Sequence, residues 1–439
     1  MKSRISFIAF LCAFYAQSLT AQQELGLHFL NNVWESSLTN PAFTTDKKLT
    51  IILPSAYFNL GSPDLTIRDL TYVGAAGNVL NFDTVVSRLK NQTTFNGNVN
   101  VQTLGIAFKV KKWTFSLSHD VHVEGYTVIP KQLAQAVVYG NSQFIGQTAS
   151  IGVDVQSYAY SALSLGAAYQ VNPNLTIGAR VKYLSGLAGI FTPSNQVNIF
   201  TDPNAYKLTF TNNYDLRTYS LSSFTDINNN LSSFVTSKLF SSNNGFAFDL
   251  GGHLKLGKLE LAASLIDIGA SINWSQDAKS YKSQGTYTYT GATASAASKF
   301  FSLYYLTDAS FTDTLKKVVN LIQGSDSYTS KLPMKAYLSG AYQLNDNFRL
   351  SALIYNEGGL ANASGHTDLS LGANYRVFKA LTLGAVYSLR NTTFDNLGVN
   401  AVLNLGPVQL YAVTDNISGV LNPYGSKSAN GRIGLNLAF

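Results

Sequence analysis

The sequence predicts an all-β chain: a transmembrane antiparallel β-barrel of about fourteen strands, with a short non-strand N-terminal segment and long extracellular loops. Three observations carry that prediction. The last hundred residues alternate apolar with polar: Leu369, Leu371, Ala373, Tyr375 and Val377 interleave with Asp368, Ser370, Gly372, Asn374 and Arg376. Such period-two segments meet apolar surroundings on one face only. Charged residues make up only 13% of the 439 positions, mean hydropathy is near zero, and no mature segment approaches the ~20 apolar residues of a spanning helix. Turns of two or three residues alternate with much longer excursions, as in barrels with short periplasmic turns and long outer loops.

The elements follow in order. Residues 1–21 read as a secretory signal peptide: Lys2 and Arg4 form its positive region, Ile5 to Tyr15 its apolar one, and Ser18 to Ala21 the cleavage site. The single cysteine, Cys12, falls inside this leader, so the mature chain is expected to be cysteine-free. Residues 22–47 are not strand-like and carry an Asn40-Pro41 turn. Residues 48–439 form the barrel.

The first strand runs from Leu49 to Leu60, and a long polar excursion from Gly61 to Asn98 follows, with a short helix near Thr84–Lys90. Val99–Val110 and Trp113–Val123 then make a hairpin around Lys111-Lys112. Gly125 to Ser157 is a second excursion, with helical character at Gln132–Tyr139. Tyr158–Val171 pairs with Leu175–Leu187. In the third excursion, Gln196–Thr201 and Tyr206–Asn212 prolong a hairpin beyond the membrane. Phe246–Leu256 pairs with Leu259–Ile268 across Gly257-Lys258, and the fourth excursion, Asn273 to Pro333, is rich in Ser, Thr, Tyr and Ala. The remaining strands are Lys335–Leu344, Phe348–Glu357, Thr367–Val377, Leu381–Arg390, Leu397–Leu405, Val408–Thr414 and Arg432–Phe439. An even count leaves both ends of the barrel on the periplasmic side, and closure spares the backbone an unpaired edge in hydrocarbon.

If the apolar face meets lipid, the other face lines the lumen. Its charged members are Asp120, His122, Glu124, Arg180, Lys182, Asp249, His253, Lys255, Arg349, Glu357, Asp368, Arg376, Arg390 and Arg432. They either fill the interior through mutual ion pairs or line a polar pathway whose selectivity they tune. Asp120, His122 and Glu124 share one strand face at steps of about 7 Å, too wide for one metal ion. No metal site, cofactor or catalytic set is expected. His253 and His366 would need a Ser or carboxylate partner at their own height for hydrolase chemistry. The net charge of +7 includes Lys2 and Arg4 of the leader, and no basic cluster points to nucleic acid.

Ser37-Leu38-Thr39-Asn40-Pro41-Ala42-Phe43, the fourteen spans and the terminal Phe439 resemble the FadL-type outer-membrane barrels, especially their Bacteroidota relatives such as PorV and an uncharacterised sister family. The resemblance implies an outer-membrane location, and it makes residues 22–47 a plug or hatch segment, containing Asn40, Pro41 and Ala42, inside the barrel. It also implies uptake of hydrophobic molecules through the lumen and a lateral opening. PorV-like members instead serve type IX secretion by binding cargo or the translocon. The excursions here are polar and lack an apolar loop patch for capturing fatty acids, so only the plug role carries over to this chain. Phe439 matches the terminal aromatic that barrel-assembly machinery reads in similar proteins. The expected partners are outer-membrane lipid, a hydrophobic ligand, and a secretion or envelope protein, but no nucleic acid. Transport of hydrophobic or small molecules is the leading expectation. A non-transporting scaffold is the alternative, and an outer-membrane hydrolase the weaker one.

Overall fold

A computed structural model of the chain describes residues 24–30, 32–74, 77–80, 82–204, 207–220, 240–289, 320–359, 365–390 and 393–439. The leader, its cleavage site, and the first residues of the expected plug lie outside the described residues. Among the described residues, fourteen antiparallel spans close into one barrel.

The first span is two strands, β1 (Leu49–Ile52) and β2 (Ser55–Gly61), where one continuous strand was expected. Pro54 causes the break, because it has no N–H to give to a ladder flanked on both sides. Both pieces pair with the same neighbours. Outside the barrel sheet, β3 (Thr71–Gly74) pairs with β4 (Gly77–Leu80), between α1 (Ile67–Leu70) and α2 (Phe82–Arg88). Thr66 and Asp69 cap α1 reciprocally, and the bonds from Thr66 hold the Asp69 carboxyl below its usual range.

β5 (Gln92–Val110) and β6 (Trp113–Pro130) run well past their expected ends, pairing from Val110 and Trp113 up to Gln92 and Pro130. Much of the expected second excursion is therefore strand. The remainder holds α3 (Lys131–Tyr139) and β7 (Thr148–Ser150). β8 (Asp154–Gln170), β9 (Leu175–Thr201) and β10 (Leu208–Tyr219) continue the sheet, with the β9–β10 hairpin extending beyond the wall as alternation implied. β11 (Asn244–Leu256) and β12 (Leu259–Ile268) follow. β13 (Ser271–Trp274), β14 (Ala278–Tyr289), β15 (Ile322–Gly324) and β16 (Tyr328–Lys331) add pairings in the fourth excursion.

The last seven spans are β17 (Lys335–Gln343), β18 (Phe348–Glu357), β19 (His366–Phe378), β20 (Leu381–Arg390), β21 (Thr393–Leu405), β22 (Val408–Thr414) and β23 (Ser428–Ala438), with α4 (Ile417–Leu421) between the final two. Gly257 and Gly406 take positive φ in their tight turns, where a side chain would be strained. β23 closes the barrel on β1 and β2, through Thr50 opposite Ala438 and Ala56 opposite Ile433.

The burial pattern is the reverse of a soluble protein's. Leu165, Leu338 and Leu371 are more than half exposed, while inward Asp249, Asn436 and Ser388 are buried. An apolar outer band over a polar interior is what a strand wall in lipid requires.

Candidate functional site: the filled lumen

The segment from Glu24 to Phe43 is packed against inward-facing residues of many strands. Two short 3-10 turns, Gly26–Phe29 and Trp34–Leu38, bury nearly every side chain they carry. Leu25 and Phe29 join Ile266, Tyr337, Leu353 and Tyr355. Leu27, Leu30 and Val33 join Val402, Tyr411 and Val413. Trp34 joins Ile52 and Ala107. These contacts use the Tyr, Val and Leu residues of a face that otherwise carries polar groups, so the lumen has apolar patches where the segment lies.

Polar contacts fix the same segment along its length. The Asp415 carboxylate accepts from the Leu25 and Gly26 N–H groups at 2.9 and 2.6 Å. Glu24 pairs with Arg432 at 2.7 Å. Arg180 donates to the Ser37 carbonyl at 2.9 Å, and Ser264 to the Thr39 carbonyl at 2.6 Å. Asn436 donates to Glu35 at 2.8 Å. His28 bonds Thr39 and Ser339, both at 2.8 Å, and stacks on Tyr337.

Asn40, Pro41 and Ala42 lie at one height of the wall. The Asn40 amide donates to the carbonyls of Gly252 and Ala263, while its oxygen accepts from the Ala42 N–H at 2.9 Å. Asn40 and Pro41 rest on Gly178 and Gly251, where an added Cβ would collide with them. Phe43 meets His28 and His253 edge to face or tilted.

The charged residues form separate networks. Asp249 takes Arg180 at 3.3 Å and Lys182 at 2.9 Å, and Lys182 also reaches Asp267 at 2.7 Å. Lys335 meets Asp267 from the other side at 3.3 Å. Arg390 pairs with Asp415 at 2.9 Å and approaches Asp368, which His366 also approaches at 3.4 Å. Glu260 takes His253 and Arg349, both at 3.0 Å. Tyr355 donates to Glu357. His122 lies 3.6 Å from Glu124 and stacks on Tyr160. Asp120 is buried. Lys255 and Arg376 are exposed, next to short turns. The Phe439 ring is 54% exposed on the rim, while its backbone bonds Lys48 and Leu49.

Sequence reasoning missed Asp267, Lys335 and Asp415. Alternation along β12 would turn Asp267 outward, but a bulge between Leu265 and Ile268 puts the residue inside, with φ of 61°. Asp415 follows a strand rather than lying in one, and Lys335 is the first residue of its strand.

Beyond this segment, between it and the long-loop end, lies a chamber of about 90 Å³. Asp120, His122, Glu124 and Lys335 line it together with Glu24 and Thr39 of the segment. Tyr160 and Leu184 also line it and belong to an aromatic cluster at the long-loop end. In that cluster Phe191 touches Trp274 at 5.6 Å and Tyr328 at 4.8 Å, and Tyr219 touches Trp274 at 5.8 Å. The Trp274 indole N–H donates to Ser330 at 2.8 Å.

A closed barrel whose lumen holds its own N-terminal segment is the class of protein these features define. Residues 41–415 match the family described as a family of unknown function (DUF5723), and the chain belongs to that family. No curated protein matches the sequence. Among solved structures, the chain is similar to the toluene transporter TbuX of Ralstonia pickettii (11% identity, 92% of this chain and 93% of that one, TM-score 0.45). It is likewise similar to the toluene transporter TodX of P. putida (13% identity, 92% and 94%, TM-score 0.44). A FadL homologue of Pseudomonas aeruginosa stands at 12% identity, 95% and 98% coverage, and TM-score 0.46.

Proposed function

We propose that the protein is an outer-membrane barrel that passes a hydrophobic or small molecule when its N-terminal segment leaves the lumen. One observation supports this above the others. The backbone-to-backbone hydrogen bonds of residues 25–43 are, among the described residues, internal to that segment, and its backbone meets the wall only through wall side chains. The wall, by contrast, is a strand ladder whose backbone bonds run around the whole barrel. The segment can therefore withdraw by exchanging side-chain contacts for water, with no ladder bond broken, whereas parting the wall in lipid would strand its N–H and C=O groups. Asn40, Pro41 and Ala42 act as the seat of this plug on the wall, in line with the hatch that FadL-type barrels carry. The charged residues of the lumen set what can follow once the plug has moved.

Reconstitution tests the reading. In planar bilayers the mature protein is expected to be closed or to open rarely, and a variant lacking residues 22–47 to conduct steadily. If neither conducts, and neither admits solutes to loaded liposomes, passage is ruled out and a scaffold in an envelope or secretion assembly takes its place.

A further inference from the structure

We infer that the chamber between the plug and the aromatic cluster is a binding site for a small primary ammonium ion, with Asp120 as its counter-ion. Asp120 is 4% exposed and lines the chamber, and its Oδ1 has no hydrogen-bond partner among the described residues. A buried carboxylate left in that state is costly, because the desolvation of the charge is not repaid.

The ion pairs around the chamber leave Asp120 out. Glu24 is taken by Arg432, and Asp249 and Asp267 share Arg180, Lys182 and Lys335. Glu124 has the His122 ring at 3.6 Å, so Asp120 is, among the described residues, the lining carboxylate with no ion-pair partner. His122 stands between Asp120 and Glu124 on the same strand face, with its ring near Glu124 and stacked on Tyr160. Asn100 gives its oxygen to Arg432 at 2.8 Å and sets its NH₂ 3.1 Å from both nitrogens of the His122 ring.

The chemistry of the chamber selects the cation. No group of three or more His, Cys, Asp or Glu among the described residues is placed to hold a metal ion. A hard metal ion needs a closed shell of oxygen ligands, and one carboxylate does not make one. A primary ammonium needs only three acceptors for its three N–H groups. The Asp120 carboxylate and the Ser164 hydroxyl, also lining the chamber, are such acceptors. Ala162, directly opposite Asp120 on β8, and Leu184 beside it give an apolar surface for an alkyl group. The volume of about 90 Å³ limits that group to a few carbons. This site does not depend on movement of the plug, so a failed passage experiment leaves it standing.

The test is equilibrium dialysis of the full mature protein, refolded into detergent micelles, with labelled methylammonium. Saturable binding of one ion per barrel is expected, unchanged by excess calcium. Asp120→Asn should weaken it at least tenfold while the barrel still migrates as a compact, heat-modifiable species. Should that variant fail to fold, Ala162→Leu keeps the carboxylate, fills the space beside it, and is expected to abolish binding. No saturable binding to the unmodified protein overturns the inference. So does undiminished binding to either variant, or displacement by calcium, which would mark an inorganic cation site.

Discussion

Gly178 and Gly251 face each other across neighbouring strands, and the Asn40-Pro41 peptide lies directly on their bare backbones. The row continues through Ser264, which donates to the Thr39 carbonyl, and Tyr337, which stacks on His28. The N-terminal segment and the wall are thus fitted to each other over several strands at one height. Gly251→Val puts a branched side chain where Asn40 and Pro41 sit. Overpacking of this kind costs about 1–3 kcal/mol, which the molecule can relieve by unseating the segment. A reporter cysteine at Ser37, buried in the native protein, is then expected to react with maleimide roughly tenfold faster, since each 1.4 kcal/mol is about tenfold in population. Labelling as slow as in the parent would show that the glycine pair does not seat the plug.

Glu24 and Arg432 make a buried ion pair between the N-terminal segment and the barrel, and Arg432 also donates to Ser55 and Asn100. Removing one partner leaves a buried charge. Arg432→Met is therefore expected to lower stability by about 3–5 kcal/mol. Glu24→Leu combined with Arg432→Met replaces both charges with apolar groups and should recover most of that loss. Urea unfolding of the protein in lipid vesicles measures both, and a double variant as unstable as the single one would place the effect elsewhere than in the pair.

The wall was legible in the sequence because physics allows it little choice. Each spanning strand must show lipid an apolar face, so Leu381–Arg390 and Val408–Thr414 could be bounded by alternation and turn residues alone. Strand ends beyond the membrane were not legible. There β5 and β6 continue to Gln92 and Pro130 with water outside, and the apolar–polar contrast fades. The partners inside the lumen were hidden for another reason. Asp249 meets Arg180 and Lys182 through the register of β9 and β11, which no local pattern encodes. Asp267 reaches the interior only because a bulge reverses its parity. The docking of Leu25 and Gly26 on Asp415 spans almost the whole chain.

The aromatic cluster makes a separable prediction. Trp274 is fully buried among Phe191, Tyr219 and Ser330. Trp274→Ala should destabilise this outer extension by about 3–5 kcal/mol. Trp274→Phe keeps a ring and loses chiefly the bond to Ser330, about 1 kcal/mol. Hydrogen exchange locates the damage. Amides of 208–219 are expected to exchange faster in the alanine variant, while those of 381–390, far around the wall, keep their protection. Uniform acceleration over both would mean that the cluster supports the whole barrel and not its outer end alone.

The closing strand separates two uses of one residue. The Phe439 N–H donates to the Leu49 carbonyl at 2.8 Å, and the Phe439 carbonyl accepts from Lys48 and Leu49. The backbone thus completes the seam, while the ring is largely free of the fold. Deleting Ser428–Phe439 unpairs β1, β2 and β22 together. With that many backbone groups left unpaired in hydrocarbon, no heat-modifiable barrel should form. Phe439→Ala leaves every one of those bonds in place and, as an exposed substitution, should shift stability by no more than about 0.5 kcal/mol. Its expected effect is on assembly in cells, as a lower yield of folded barrel in the membrane. Refolding of the purified variant into vesicles should remain normal. A variant that refolds poorly in vitro would instead give the ring a structural role at the rim.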